Sequence, residues 1–200
     1  MPDFVLWIAV LIVLITSVTF LLARDWRLSL GLLAFQYCGM FVLILFHWPP
    51  GMAAAKLITG WMSAAILGMT QSGFPNYTKL DSSWPEGRAF RLFIAALVIV
   101  AIASSAPSLL IWLPGISLPV AYGGMILVGM GILQLGITIQ PLRVTIGLLT
   151  ALSGFEILYA SIENSVLVAA LLSVVTLGLA LVGAYLISAE DSAREVEEDH

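Results

Sequence analysis

The chain has 200 residues, 60% of them hydrophobic and only 10% charged, with a mean hydropathy of +1.06. Aqueous domains carry about 25% charged residues, so a soluble fold is excluded and the composition selects an all-α integral membrane protein whose solvent is hydrocarbon. The net charge of −4 is concentrated in six acidic residues among the last eleven (Glu190, Asp191, Glu195, Glu197, Glu198, Asp199), and with no basic surface nucleic acid is excluded as a partner.

Apolar runs of about 20 residues, enough to cross a ~30 Å core as a helix, lie at 4–23, 28–46, 52–70, 92–113, 120–139, 144–162 and 166–188. They predict seven transmembrane helices. The first run has no basic segment before it and no small-residue cleavage site after it, so it is expected to stay in the mature chain. Arg24-Asp25-Trp26-Arg27 ends it, and Trp48-Pro49-Pro50-Gly51 separates the second run from the third. The long connection 71–91, with Pro75, Asn76, Asp81, Ser82, Ser83, Pro85 and Gly87, divides a three-helix part (1–70) from a four-helix part (92–188). Pro107 lies inside the fourth run, where it is expected to kink the helix or end it early. Leu113-Pro114-Gly115 and Gln140-Pro141 punctuate the next runs, and residues 189–200 form an acidic tail.

The basic residues set the expected orientation. If the N-terminus is outside, the cytoplasmic segments hold Arg24, Arg27, Lys79, Arg88, Arg91, Arg143 and Arg194, which is every Lys and Arg except Lys56. The outside segments hold none, the asymmetry demanded by the positive-inside rule. The C-terminus and its tail are then cytoplasmic, and the protein is expected to be multi-pass in the cell inner (plasma) membrane.

Three ionisable side chains fall within the runs: Lys56, Glu156 and, near an end, Glu163. A central charge costs roughly 2.5–3.5 kcal/mol on insertion scales, so such residues face protein or water and mark ion pathways. Glu156 is 13 residues past Arg143, about 20 Å along a helix and too deep to reach that interface. Ser153, Glu156, Ala160 and Glu163 share one face of this helix, with Tyr159 alongside. Either Glu156 handles a proton or ion, or it is a protonated acid that specifies packing. Lys56 begins a second stripe with Thr59 and Ser63, and either snorkels to the surface or pairs with another charge. Lys56 would lie roughly 8 Å below the outer surface and Glu156 about 10 Å, depths that allow pairing if the third and sixth helices touch. Glu163, beside Asn164, reads best as an interfacial group.

Other stripes describe packing. In the last run Ala169, Ser173, Thr176, Ala180 and Gly183 alternate by four and three, and in the fifth Gly124 and Gly131 lie seven apart, both surfaces for close helix approach. Cys38 is the only cysteine and the histidines number two, so intrachain disulfides, iron–sulfur clusters and a zinc site are excluded. No nucleophile with its base, phosphate loop or dinucleotide fingerprint is present, and no cofactor is expected in this chain.

The segment Ile146-Gly147 through Gly154-Phe155-Glu156-Ile157-Leu158-Tyr159-Ala160, continuing to Thr176-Leu177-Gly178-Leu179-Ala180-Leu181, resembles subunit K (chain 4L) of NADH-quinone oxidoreductase, whose relatives occur in Mrp-type cation antiporters and membrane hydrogenases. Glu156 falls at that family's signature glutamate. The N-terminal part, with Arg27-Leu28-Ser29, Gly31, Gln36 and Lys56, is similar to component E of the hydrogenase-4 group. One position departs: where subunit K carries a second membrane glutamate, this chain has Val174. The resemblance implies a non-catalytic membrane subunit of a complex-I-like oxidoreductase, membrane hydrogenase or cation/proton antiporter assembly. It would contribute to proton or sodium translocation through Glu156, with Lys56 and more weakly Glu163, while partner subunits hold any redox cofactor. Two other readings stand beside it: a self-sufficient small-molecule or ion transporter, and a structural membrane anchor.

Overall fold

The computed structural model describes residues 2–73, 87–113 and 115–198, with side chains from Asp3 to Ser192. Pro114, most of the 71–91 connection with Lys79, and Asp199 and His200 lie outside the described residues. Seven helices form: α1 (Pro2–Leu22), α2 (Trp26–Leu45), α3 (Pro50–Gly73), α4 (Arg88–Trp112), α5 (Leu118–Ile137), α6 (Pro141–Ala160) and α7 (Val166–Glu198). All seven are long and apolar enough to cross a membrane. Hydrocarbon offers the backbone no hydrogen-bond partner, so a chain of this composition satisfies its amides within helices.

Proline marks the starts. Pro50 and Pro141 open α3 and α6, and Pro119 follows the first residue of α5, positions whose N–H groups have no intrahelical acceptor. Helix α4 runs through Pro107 to Trp112, so of the two outcomes expected there the early end does not occur. Helix α7 does not stop at 188 but continues to Glu198, so the first part of the acidic tail is helical. Its residues there are mostly Ala, Glu and Ser, and Glu and Ala propagate a helix in water as well as in lipid.

Helices α1, α2, α3, α7, α6 and α5 pack as a ring, each against the next, with α2 and α6 also meeting across the middle. Helix α4 lies outside the ring against α5 and α1. The helices before and after the long connection are therefore interlocked, α1 on α5 and α3 on α7. The most extensive contact, α5 with α6, is made by glycines on both sides. A Cβ at Gly131 would lie 2.6 Å from the Ala151 nitrogen and 2.8 Å from the Gly147 oxygen, and one at Gly154 would lie 2.6 Å from the Val128 nitrogen. Absent side chains let the two backbones touch.

One end of the bundle gathers Arg24, Arg27, Arg88, Arg91 and Arg143; Trp48 and the α6–α7 turn occupy the other. At the arginine end, Arg143 donates to the Ala23 carbonyl (2.8 Å) and Arg91 to the Leu21 carbonyl (3.2 Å), placing two cations on the carbonyl end of α1. At the other, the Trp48 indole donates to the Glu163 main-chain oxygen at 2.9 Å.

Candidate functional site

Lys56 is six residues into α3 and Glu156 four residues from the end of α6, roughly 9 and 6 Å from those helix ends at the Trp48 end of the bundle. The two helices are not closely packed on each other; both lie against α2 and α7. The four-carbon lysine stem crosses the gap, and Nζ stands 2.5 Å from Glu156 Oε1. The side chains are 2% and 1% exposed, so the ion pair is closed off from solvent and lipid. Pairing thus needs no direct packing of α3 on α6.

Hydroxyl groups surround the pair. Thr176 on α7 lies 3.5 Å from Glu156 Oε1, but its proton is engaged at 2.8 Å on the Leu172 carbonyl, so it is a polar neighbour rather than a donor. Tyr37 enters from α2, 3% exposed, with its phenol beside Ser153 and within electrostatic reach of Glu156. Ser153 donates its own proton to the Leu149 carbonyl at 2.7 Å, which leaves its lone pairs for the phenol. The tyrosine ring lies across α3 at Gly60, where any Cβ would collide with it. Thr59 and Ser63, buried on the Lys56 face, donate to the Ala55 and Thr59 carbonyls at 2.7 and 2.9 Å.

Glu163 lies elsewhere. Its side chain is exposed in the α6–α7 turn, and only its main chain is engaged, by Trp48. Of the small residues, Gly124 lies against Leu158 and the Gly154 oxygen, Gly131 against Ala151, and Gly183 against Thr145. Thr176 and Ala180 are buried on the same face of α7, while Ser173 is half-buried and donates to the Ala169 carbonyl at 2.9 Å. Val174 points outward, 66% exposed.

Tyr37 was not legible as a site residue, because a tyrosine in an apolar run reads as packing. The nearest signal is Gln36 beside it, an amide at mid-membrane depth with no charge nearby in sequence. Among the described residues no group of three His, Cys, Asp or Glu comes together. The arrangement is instead one buried acid against one buried amine, with a phenol and hydroxyl oxygens around them. Compared with known proteins, the chain matches no family model, no curated protein and no solved structure.

Proposed function

We propose that the chain is a non-catalytic membrane subunit of a complex-I-like oxidoreductase, a membrane hydrogenase or a cation/proton antiporter assembly, and that its Lys56–Glu156 pair takes part in moving protons or sodium ions. The observation that carries this reading is the buried ion pair itself. Withdrawing two charges from water costs several kcal/mol per ion, which attraction between them only partly returns, and intramembrane charges are concentrated on ion and proton pathways. The resemblance of the α6 segment around Glu156 to subunit K points the same way.

The pair works as a relay in this reading. A proton arriving at Glu156 cancels the charge that holds Lys56, and the freed ammonium can turn to another acceptor; loss of that proton restores the pair. Partner subunits would cover part of the outward apolar faces of α4 and α7, the most apolar stretches of which are only 17% and 22% buried. The arginine end faces the cytoplasm of a cell inner (plasma) membrane by the positive-inside rule.

The test keeps charge balanced. Lys56→Gln/Glu156→Gln removes both charges and leaves polar side chains of similar length. The assembly is purified in mild detergent, its subunit content is compared with the unsubstituted form, and proton and sodium uptake are measured in vesicles. Intact composition with translocation reduced about a hundredfold supports the relay. Unchanged translocation leaves the pair as a structural pin and the chain as an anchor. A stable monomer that transports ions alone would replace the assembly by a self-sufficient transporter.

A further inference from the structure

At the arginine end, away from the ion pair, the last turns of α1 and α5 and the first turns of α4 and α6 surround a small open cleft. Arg91 lines it from α4, Arg143 from α6, and Gln134 and Thr138 from the end of α5; the rest of its wall is apolar. Both guanidinium groups are held by α1. Arg143 donates to the Ala23 carbonyl at 2.8 Å and Arg91 to the Leu21 carbonyl at 3.2 Å, while Gln134 fixes the start of α6 by donating to the Arg143 carbonyl at 3.1 Å. A carbonyl orients a guanidinium without cancelling its charge. Nor do the helix dipoles cancel it, because the carbonyl ends of α1 and α5 meet the amide ends of α4 and α6 here and their partial charges offset two by two. Among the described residues that line the cleft none is acidic, so the arginines set its sign.

Thr138 is a second and independent sign of a ligand. It follows α5 with extended backbone (φ −140°, ψ 144°), and so is not placed to donate to the carbonyl one turn back, as Thr16, Thr59, Thr145 and Thr176 do within their helices. It is 8% exposed, and its Oγ1 is buried without a hydrogen-bond partner in the protein, a costly state for a hydroxyl. A water would satisfy the hydroxyl and leave the two cations; an anionic oxygen satisfies both. Size and depth say which anion. The cleft encloses about 10 Å³, room for one water-sized group, so a phosphate can lodge one oxygen there and must keep the rest outside. From its first turns α4 presents exposed Phe90, Leu92 and Phe93, and Ile139, next to Thr138, is 90% exposed. Apolar side chains at that level put Arg91 where hydrocarbon gives way to headgroups. A lipid phosphate is carried to this depth by its own acyl chains, and a free phosphate has no such tether.

We propose that Arg91, Arg143 and Thr138 form a binding site for the phosphate of an anionic phospholipid, taken from the leaflet at the arginine end. The two guanidinium groups hold the charge, Thr138 donates to the inserted oxygen, and the acyl chains stay in the bilayer beside α4. Basic pockets between membrane helices recognise headgroups in this way. The bound lipid would clamp α4, which stands outside the ring and rests chiefly on α5 and α1, to the rest of the bundle. The site holds whether or not the Lys56–Glu156 pair is a relay.

The test is thermal unfolding of the purified protein, delipidated in mild detergent, with phosphatidylglycerol, phosphatidylcholine or inorganic phosphate added, and native mass spectrometry to count the lipid retained. Phosphatidylglycerol at a hundredfold its Kd should raise the melting temperature by about 5–10 °C, phosphatidylcholine much less, and inorganic phosphate at equal concentration not at all. Arg91→Gln/Arg143→Gln should abolish the gain. Arg24→Gln/Arg27→Gln, which takes two charges from the same end but outside the cleft, should keep it. Because the first pair also loses hydrogen bonds to α1, Thr138→Val is the milder variant: it should bind phosphatidylglycerol about tenfold more weakly yet melt no lower than the parent when lipid-free. A Thr138→Val chain that melts lower without lipid, and binds lipid as the parent does, would show a hydroxyl that holds only water and would overturn the site. An equal gain from inorganic phosphate would make the ligand a free anion and overturn the lipid. Equal losses in the two arginine pairs would reduce the attraction to that of a charged surface, and no gain from phosphatidylglycerol in the parent would remove the proposal altogether.

Discussion

Replacing Lys56 by methionine leaves the Glu156 carboxylate without its cation in a site from which both side chains show 2% of their surface or less. Solvent cannot compensate at that depth, so the cost should approach that of breaking a buried pair, about 3–5 kcal/mol, rather than the ~0–1 kcal/mol of a surface ion pair. Glu156→Leu strands the lysine and should cost a similar amount. Replacing both removes the two desolvation penalties together with the attraction, and such exchanges are often neutral or stabilising by ~1–4 kcal/mol. The signature is therefore non-additive: Lys56→Met/Glu156→Leu recovers most of what either substitution loses, with a coupling at or above the ~3 kcal/mol that ends the usual range for residues in contact. Taking ~2–4 °C per kcal/mol for a chain of this size, each single variant should melt roughly 6–20 °C lower in detergent and the double variant near the parent. The assay is thermal unfolding of the purified assembly across the four members of the cycle. Additive losses, or single variants that melt within about 2 °C of the parent, would refute the buried ion pair.

Gly131→Val pushes a side chain into the Ala151 and Gly147 backbone and should destabilise by about 1–3 kcal/mol; Gly136→Ala, with nothing within 4 Å of its Cβ position, should gain roughly 0.5–1 kcal/mol, both read by the same melting assay. Glu163→Gln touches an exposed side chain away from the pair, so ion uptake in vesicles should match the parent, and a marked loss would move Glu163 into the relay. A reporter fused after His200 should read as cytoplasmic, and an outside signal would reverse the orientation inferred from the arginines. Mild-detergent purification should bring down larger membrane subunits.

The number and limits of the helices were legible in the sequence because each depends on a local quantity. A run of about 20 apolar residues must be helical in hydrocarbon, and Pro50 and Pro141 mark helix starts by their own backbone chemistry. The apolar run ends at 188 but α7 continues to Glu198, because hydropathy marks only the length of helix in hydrocarbon while Ala and Glu favour its continuation. The stripe containing Lys56 and the depth of Glu156 were legible as well, since a helix repeats every 3.6 residues and rises by a fixed step. What periodicity does not contain is which helix stands opposite which face. Only the tertiary structure sets α3 and α6 on either side of α2 and α7 at a spacing the lysine stem can cross, and only it brings Tyr37 to Ser153. The same fact decides what Glu156→Gln does: beside Lys56 it leaves a buried ammonium unpaired, because the energy of a charge in a low-dielectric interior belongs to the pair and not to either residue.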